Sequence, residues 1–262
     1  MDTTGHHLHQ MRATAPLVHN ITNFVAMNIM ANVLLAAGAS PAMVHAREEV
    51  AEFAGLSQAL TVNIGTLDAP WAEAMETAAA VMAGLGRPWV LDPVGVGATR
   101  FRQDVCARLM RLRPDVIRGN ASEILALSGI GAKGRGADAA DPVEAAEAAA
   151  RDLAARTGAV VAVSGPVDYI TDGVSAYHVA NGHALMPRVT ALGCSLNGVI
   201  AAFLVGQPAL CATAAAMAYY GLAGERAAHA ATGPGGFQAA FLDALYTITP
   251  EDLSMGARIT RA

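Results

Sequence analysis

An α/β fold with a mostly parallel central sheet, covered by helices on both faces, is what this sequence predicts. Three observations carry the prediction. Short runs rich in β-branched residues recur along the chain, with longer Ala- and Leu-rich helical stretches between them. The runs read as buried strands, as expected when both faces of a sheet are covered. Polar turns containing Gly, Asn and Pro fall where these runs end.

The elements follow in order. Residues 23–37 predict a helix capped near Thr22 or Asn23 and stopped by Gly38. Residues 60–64 read as a strand running into Gly65-Thr66. Pro70 then sits where the first turn of a helix tolerates it, and residues 71–84 supply the crossover. Residues 89–92 form the next strand, ended by Pro93 and the loop Gly95-Val96-Gly97. A helix around 102–111, a strand over 116–118 and a helix opened by Asn120 come next. The span 129–141 is a Gly/Asp/Ala surface loop; composition does not change across it, so residues 12–262 read as a single domain. Residues 142–157 predict an amphipathic Ala-rich helix, and 160–164 a buried strand. Between 169 and 186 lie short alternating pieces with turns at Asp172-Gly173 and Asn181-Gly182, the second a hairpin signal. The remainder is helical: 194–205, 208–230, 237–245 and a turn after Pro250. Residues 1–11, which hold His6, His7 and His9, read as a disordered polar tail.

Composition excludes whole classes of partner. Hydrophobic residues make up 53% of the 262-residue chain and charged residues 15%, as in a compact folded body. A formal net charge of −5, with no dense run of Lys or Arg, gives no basis for binding nucleic acid or an anionic membrane. Residues 189–224 contain no charge, but Asn197, Gln207 and Pro208 interrupt them, so they predict two buried helices rather than a membrane span. Cys106, Cys194 and Cys211 are odd in number and widely spaced, which fits a reducing cytoplasm and no zinc pattern.

The common nucleotide and hydrolase motifs are missing: no Gly-x4-Gly-Lys-Ser/Thr, no third glycine in GVGATR at 95–100, no HExxH and no GxSxG. The stretch TALGCSLNGVIAAF at 190–203 is more telling. Residues 190–193 read as a turn opening a buried helix, whose free N–H groups and dipole suit an anion such as a transferring phosphate. Cys194 falls in that first turn, where the same field favours a thiolate; Gly193 and Cys194 equally suit close helix packing. Asp92 ends a strand, where open α/β sheets place ligand-facing carboxylates, and it also reads as a turn aspartate. Arg118 at a strand end calls for an anionic partner. Asn120 and Glu123 have the spacing of a capping box. NITN at 20–23, NIGT at 63–66 and Gly233-Pro234-Gly235-Gly236 are further candidate ligand loops, and Met43 alone reads as a core methionine.

The order of these strings decides among the readings. HNITNFVAMNIMANVLLAAGASPAM (19–43), NIGT (63–66), LDPVGVGATRFR (91–102), IRGNASEI (117–124), VSGPVD (163–168), TALGC (190–194) and GPGGFQ (233–238) closely resemble the hydroxyethylthiazole kinases of the ribokinase-like superfamily. That resemblance implies transfer of the γ-phosphate of ATP, with Mg²⁺, to the primary alcohol of 4-methyl-5-(2-hydroxyethyl)thiazole in thiamine salvage. By the same resemblance Met43, Asn23, Gly65 and Ala191 contact the thiazole. Arg118 and Ser164 bind ATP, Asp92 and Glu123 stand near the metal and phosphates, and Cys194 beside Gly193 is the catalytic position. The resemblance further implies a cytoplasmic homotrimer with active sites between subunits. Many members read Gly-x-Gly-Cys where this chain has Ala191-Leu192-Gly193-Cys194. A positive φ at Ala191 would therefore cost roughly 1 kcal/mol. Related enzymes with the fold, a hydroxymethylpyrimidine kinase or a nicotinamide-repair dehydratase, would carry aspartate at position 194.

Overall fold

The computed structural model describes residues 4–129 and 142–262. The described strands form one sheet: β1 (Leu17–Ile21), β2 (Ser40–Ala42), β3 (Ala59–Asn63), β4 (Trp89–Asp92), β5 (Val116–Asn120), β6 (Val160–Ser164), β7 (Asp168–Thr171), β8 (Ala176–Val179) and β9 (Ile259–Arg261). Their order is β2-β1-β3-β4-β5-β6-β7-β8-β9. Strands β1 to β6 pair in parallel, and β7 to β9 add an antiparallel edge. The mostly parallel α/β architecture expected from the alternation is therefore present.

Helices cover both faces. On one side α1 (Thr4–Thr14), α2 (Met27–Ala37), α8 (Leu192–Leu204), α9 (Ala209–Ala230), α10 (Pro234–Thr247) and α11 (Pro250–Gly256) share a core with Val18, Val90 and Val116 of the sheet. On the other, α3 (Val50–Leu56), α4 (Ala69–Leu85), α5 (Arg100–Met110), α6 (Ala121–Ser128) and α7 (Pro142–Thr157) pack with Leu60, Leu91 and Ile117. Alternate residues of each central strand thus feed opposite cores, and for this reason β3 and β4 are buried along their whole length.

Local chemistry sets the ends of these elements. Asp68 Oδ1 accepts the Trp71 N–H at 2.7 Å to open α4, and Thr99 caps α5 in the same way. Asn120 and Glu123 form the expected capping box at α6. Gly38, at φ +102°, closes α2 where the sequence predicts. The charge-free stretch is α8 and α9, joined at 205–208, and among the described residues no helix is long and apolar enough to cross a membrane.

Three expectations need correction. Residues 4–14 are helix α1 rather than a tail, because Leu8 and Met11 are fully buried against the helical face. Helix α2 starts at Met27, four residues late: the Asn23 side chain accepts the Ala26 N–H at 3.0 Å and closes a separate turn first. Asn181-Gly182 closes no hairpin. Asn181 instead donates to Gly256 O and accepts from the Arg258 N–H, tying the β8 end to the C-terminal segment that becomes β9. The turn at 172–175 is the hairpin, with Asp172 Oδ1 accepting from Val174 and Ser175. Residues 130–141 of the expected surface loop lie outside the described residues.

Candidate active site

Parallel pairing brings the carboxyl ends of β1 to β6 to one end of the sheet. The chain order reverses around β1, whose neighbours are β2 and β3, and such a switch point opens a crevice for ligand. Asn23 follows β1, Asn63 ends β3 and Gly65 follows it, Asp92 ends β4, Arg118 lies in β5, and Ser164 ends β6. The first turn of α8 packs over β3 and β4 at this same end. Residues far apart in sequence therefore meet at one end of the sheet.

Beneath α8 lies a buried polar chain. Asp92, 2% exposed, accepts on Oδ2 from Asn63 Nδ2 at 2.5 Å and from Asn197 Nδ2 at 2.7 Å. Asn63 Oδ1 accepts in turn from Asn23 Nδ2 at 2.9 Å and from the Gly65 N–H at 2.9 Å. Asn23 Nδ2 also reaches Cys194 Sγ at 3.4 Å. Burial pushes the Asp92 carboxyl up to about 7, an effect that Arg118 and the two amides only partly offset. Burial, reinforced by the facing Asp92 charge, also raises the Cys194 thiol. The thiolate that the helix N-terminus favours is thus opposed by the surroundings, and Cys194 is a thiol at neutral pH.

The opening of α8 is left-handed. Ala191, its N-cap, has φ 63° and ψ 5° and offers no side-chain cap, so the N–H groups of the first turn lack intrahelical partners. Arg118 crosses to this turn: Nη1 donates to Gly193 O at 3.0 Å and Nη2 to Ser164 Oγ at 2.7 Å. Both acceptors are neutral, and among the described residues Arg118 forms no ion pair within 4 Å. Among the described residues, the carboxylates of Asp92 and Asp168 feel its charge only from beyond ion-pair distance. Arg118, Ser164 and Gly193 line a cavity of 820 Å³ whose far wall includes Met186, Val189, Met217 and Tyr220. Asp168 also lines it, accepting from the Gly165 N–H at 2.9 Å, and burial lifts its carboxyl to about 6.

Glu123 is engaged on both oxygens: Oε1 accepts from the Gly95 N–H at 3.0 Å and Oε2 from the Asn120 N–H at 2.9 Å. Beyond capping α6, it straps the β4–α5 loop to the β5–α6 turn. Among the described residues no three His, Cys, Asp or Glu side chains are grouped to chelate a metal. Gly65 needs to be glycine: a Cβ there would meet Asn23 Cβ at 2.8 Å. Its carbonyl is held by Arg102, which donates to Gly65 O at 2.6 Å, Ile64 O at 2.6 Å and Val94 O at 2.7 Å. Met43 follows β2 at the sheet edge, half-buried against the α8-side core.

Sequence reasoning singled out Asn23, Gly65, Asp92, Arg118, Glu123, Ser164, Ala191, Gly193 and Cys194, and the structure gathers all of them at this end of the sheet. It missed Asn63, Asn197, Arg102 and Asp168. Asn197 had a visible signal: a lone amide inside a helix otherwise free of charge must find a polar partner.

Known proteins resemble this chain along its length. The sequence model of the hydroxyethylthiazole kinase family matches residues 8–251. A hydroxyethylthiazole kinase of Cereibacter sphaeroides (strain ATCC 17025 / ATH 2.4.3) is 64% identical over 262 residues, covering 100% of both chains. The solved structure of a hydroxyethylthiazole kinase protein from Pyrococcus horikoshii OT3 superposes with a TM-score of 0.93 at 40% identity, covering 100% of each. A pyridoxal kinase from Staphylococcus aureus in complex with AMP-PCP matches at a TM-score of 0.64 and 16% identity, over 94% of this chain and 99% of that one. This last likeness is one of fold.

Proposed function

The chain belongs to the hydroxyethylthiazole kinase family, and on that premise we propose how its residues divide the work of phosphoryl transfer. The reaction moves the γ-phosphoryl group of ATP to the primary alcohol of 4-methyl-5-(2-hydroxyethyl)thiazole in thiamine salvage. Residues 12–262 act as one kinase domain built on the single sheet.

One observation carries the assignment of roles. Arg118 spans from Ser164 Oγ to Gly193 O in the lining of the large cavity, and among the described residues it forms no ion pair within 4 Å. A polyphosphate laid along this bridge meets a guanidinium fork and the free amides of residues 192–194 together. The apolar wall of Met186, Val189 and Met217 suits the purine. The thiazole then occupies the switch-point crevice, between Asn23, Gly65, Met43 and Ala191.

The alcohol oxygen attacks the γ-phosphorus as the bond to the β–γ bridging oxygen breaks and ADP leaves. Such transfers pass through a loose transition state, so positioning and charge stabilisation do most of the work. Arg118 and the amides of α8 meet the negative charge on the equatorial oxygens. Cys194, kept a thiol by burial, holds the hydroxyl in place through sulfur. It is not the base; the proton leaves late, to a phosphate oxygen and then to solvent.

Mg²⁺ accompanying the nucleotide would neutralise charge between the phosphates. Glu123 fits it through water rather than directly, since both its oxygens already accept backbone N–H groups, whereas Asp92 accepts on Oδ2 and would offer Oδ1 to the ion or its water. We place the enzyme in the cytoplasm, where its three free cysteines stay reduced. A homotrimer with shared sites is supported by Phe24 and Val25, 65% and 58% exposed directly beside Asn23, and by Leu35, 61% exposed on α2.

The test is ATP consumption measured in parallel with hydroxyethylthiazole, hydroxymethylpyrimidine and a sugar. Turnover with the thiazole alone supports the reading. Turnover of another alcohol without the thiazole overturns the substrate assignment.

A further inference from the structure

The carbonyl oxygens that open α8 are tied down from inside the protein. Ser195 Oγ lies 3.0 Å from Ala191 O and 3.1 Å from Leu192 O. Tyr220 donates its hydroxyl to Leu192 O at 2.9 Å, and the two hydroxyls are 2.7 Å apart. Ser195 is 0% and Tyr220 2% exposed. Burial raises the Tyr220 hydroxyl further above its ordinary range, so it remains a donor at every working pH.

This arrangement has a directional consequence. In a trans peptide the C=O and N–H point to opposite sides of one plane, and no peptide bond among the described residues is cis. The plane that carries Ala191 O also carries the Leu192 N–H; the plane that carries Leu192 O also carries the Gly193 N–H. Holding the two oxygens down along α8 leaves these two N–H groups pointing out of its N-terminal end, where Arg118 reaches Gly193. The same bonds steady Ala191, an L-residue at φ 63°, whose carbonyl also accepts the Ser195 N–H at 2.9 Å.

We propose that the Ser195–Tyr220 hydroxyl pair is a positioning device for phosphoryl transfer: it braces the left-handed Ala191 turn and thereby aims the Leu192 and Gly193 amides at the transferring group. Neither hydroxyl touches substrate; both act through the backbone. The inference rests on the reading that these amides face the γ-phosphoryl, and the experiment separates the two.

Tyr220→Phe and Ser195→Ala are compared with wild type in kcat, in KM for the thiazole, and in affinity for ADP with and without aluminium fluoride, a planar mimic of the group in flight. Each variant loses about tenfold in kcat, and loses the same factor in affinity for ADP with aluminium fluoride, as expected when an interaction acts only in the transition state. ADP affinity and KM for the thiazole stay within about twofold, and the double variant falls little further than either single one, because the hydroxyls work as a unit. A hydroxyl pair that only fills the core lowers the Tm without this split. Folded variants with kcat within about twofold of wild type overturn the proposal, as does an ADP affinity that falls as far as kcat. If Tyr220→Phe does not fold, Ser195→Ala decides by the same numbers. A wild-type enzyme that binds ADP no more tightly with aluminium fluoride than without it overturns the amide reading itself.

Discussion

Replacing Asp92 with asparagine should make the protein more stable above neutral pH while disabling it. Asp92 is 2% exposed and its carboxyl is pushed up to about 7 from an ordinary 3.8, chiefly by desolvation. Between those two values the folded chain binds a proton that the unfolded chain has released. Folding stability therefore falls as pH rises from about 4 through 7 and stays at its lower level above that. A shift of about three units corresponds to a ceiling of about 4 kcal/mol, at 1.36 kcal/mol per unit. Relaxation around the ionised group makes about 2 kcal/mol a fair expectation, or about 4–8 °C in Tm for a chain of this size. Asparagine keeps the shape, and its Oδ1 can accept both amides that now reach Asp92 Oδ2. The assay is thermal unfolding of both proteins, free of nucleotide and Mg²⁺, at intervals from pH 4 to 8.5. Taking the difference between them cancels Asp115 and Asp168, whose carboxyls are also raised by burial. The variant should gain on wild type steadily between pH 4 and 7, and its turnover should fall by about a hundredfold or more. A Tm difference that does not change with pH, or a variant less stable at pH 8, would refute the reasoning.

Three further outcomes follow from the site. Arg102→Met leaves the carbonyls of Ile64, Gly65 and Val94 without their shared donor; stability should fall by about 2–4 kcal/mol, and KM for the thiazole should rise, as denaturant unfolding and steady-state kinetics will report. Ala191→Gly relieves a left-handed alanine and, net of the backbone freedom that glycine adds to the unfolded chain, should raise stability by about 0.5 kcal/mol in denaturant unfolding, with kcat nearly unchanged. Cys194→Ala should lower kcat by less than about tenfold, because a thiol is not a general base. Alkylation of Cys194 by iodoacetamide should accordingly be slow at neutral pH and accelerate only above pH 9.0, the ordinary thiol value that burial has raised here.

What the sequence made legible follows from physics that acts locally. Glycine stops, capping residues and buried apolar runs depend on near neighbours, so α4, β4, α6 and β6 are found within a residue or two of where the sequence puts them. Strand β1 was not legible, because His19 and Asn20 break its apolar run. His19 and Asn20 are buried: His19 Nε2 pairs with Val44 O, and Asn20 donates to Val18 O and accepts from the Thr61 hydroxyl. Val44 and Thr61 lie far along the chain from β1 and leave no trace in its local pattern. Asn181-Gly182 failed for the opposite reason: a strong local turn signal yielded to a partner 75 residues away, Gly256.

The candidate site divides along the same line. Asp92, Arg118 and Ser164 announce themselves as polar residues at strand ends, and the long succession of family-like strings adds Met43, Asn23 and Cys194. Their mutual geometry was out of reach. Nothing near position 118 says that its guanidinium bridges to Gly193, and nothing near 194 says that Asp92 faces the thiol and raises it. Charge effects between residues a hundred positions apart appear only when the sheet has assembled.

The central claim is that the Arg118 bridge and the opening turn of α8 form the phosphoryl-transfer site. Steady-state kinetics of Arg118→Met, with ATP and hydroxyethylthiazole each varied, test it most directly. The account predicts that kcat/KM for ATP falls by about 10²–10³ while KM for the thiazole stays within about threefold. A variant whose kcat/KM for ATP remains within about threefold of wild type would contradict it, and would place the transfer elsewhere in the fold.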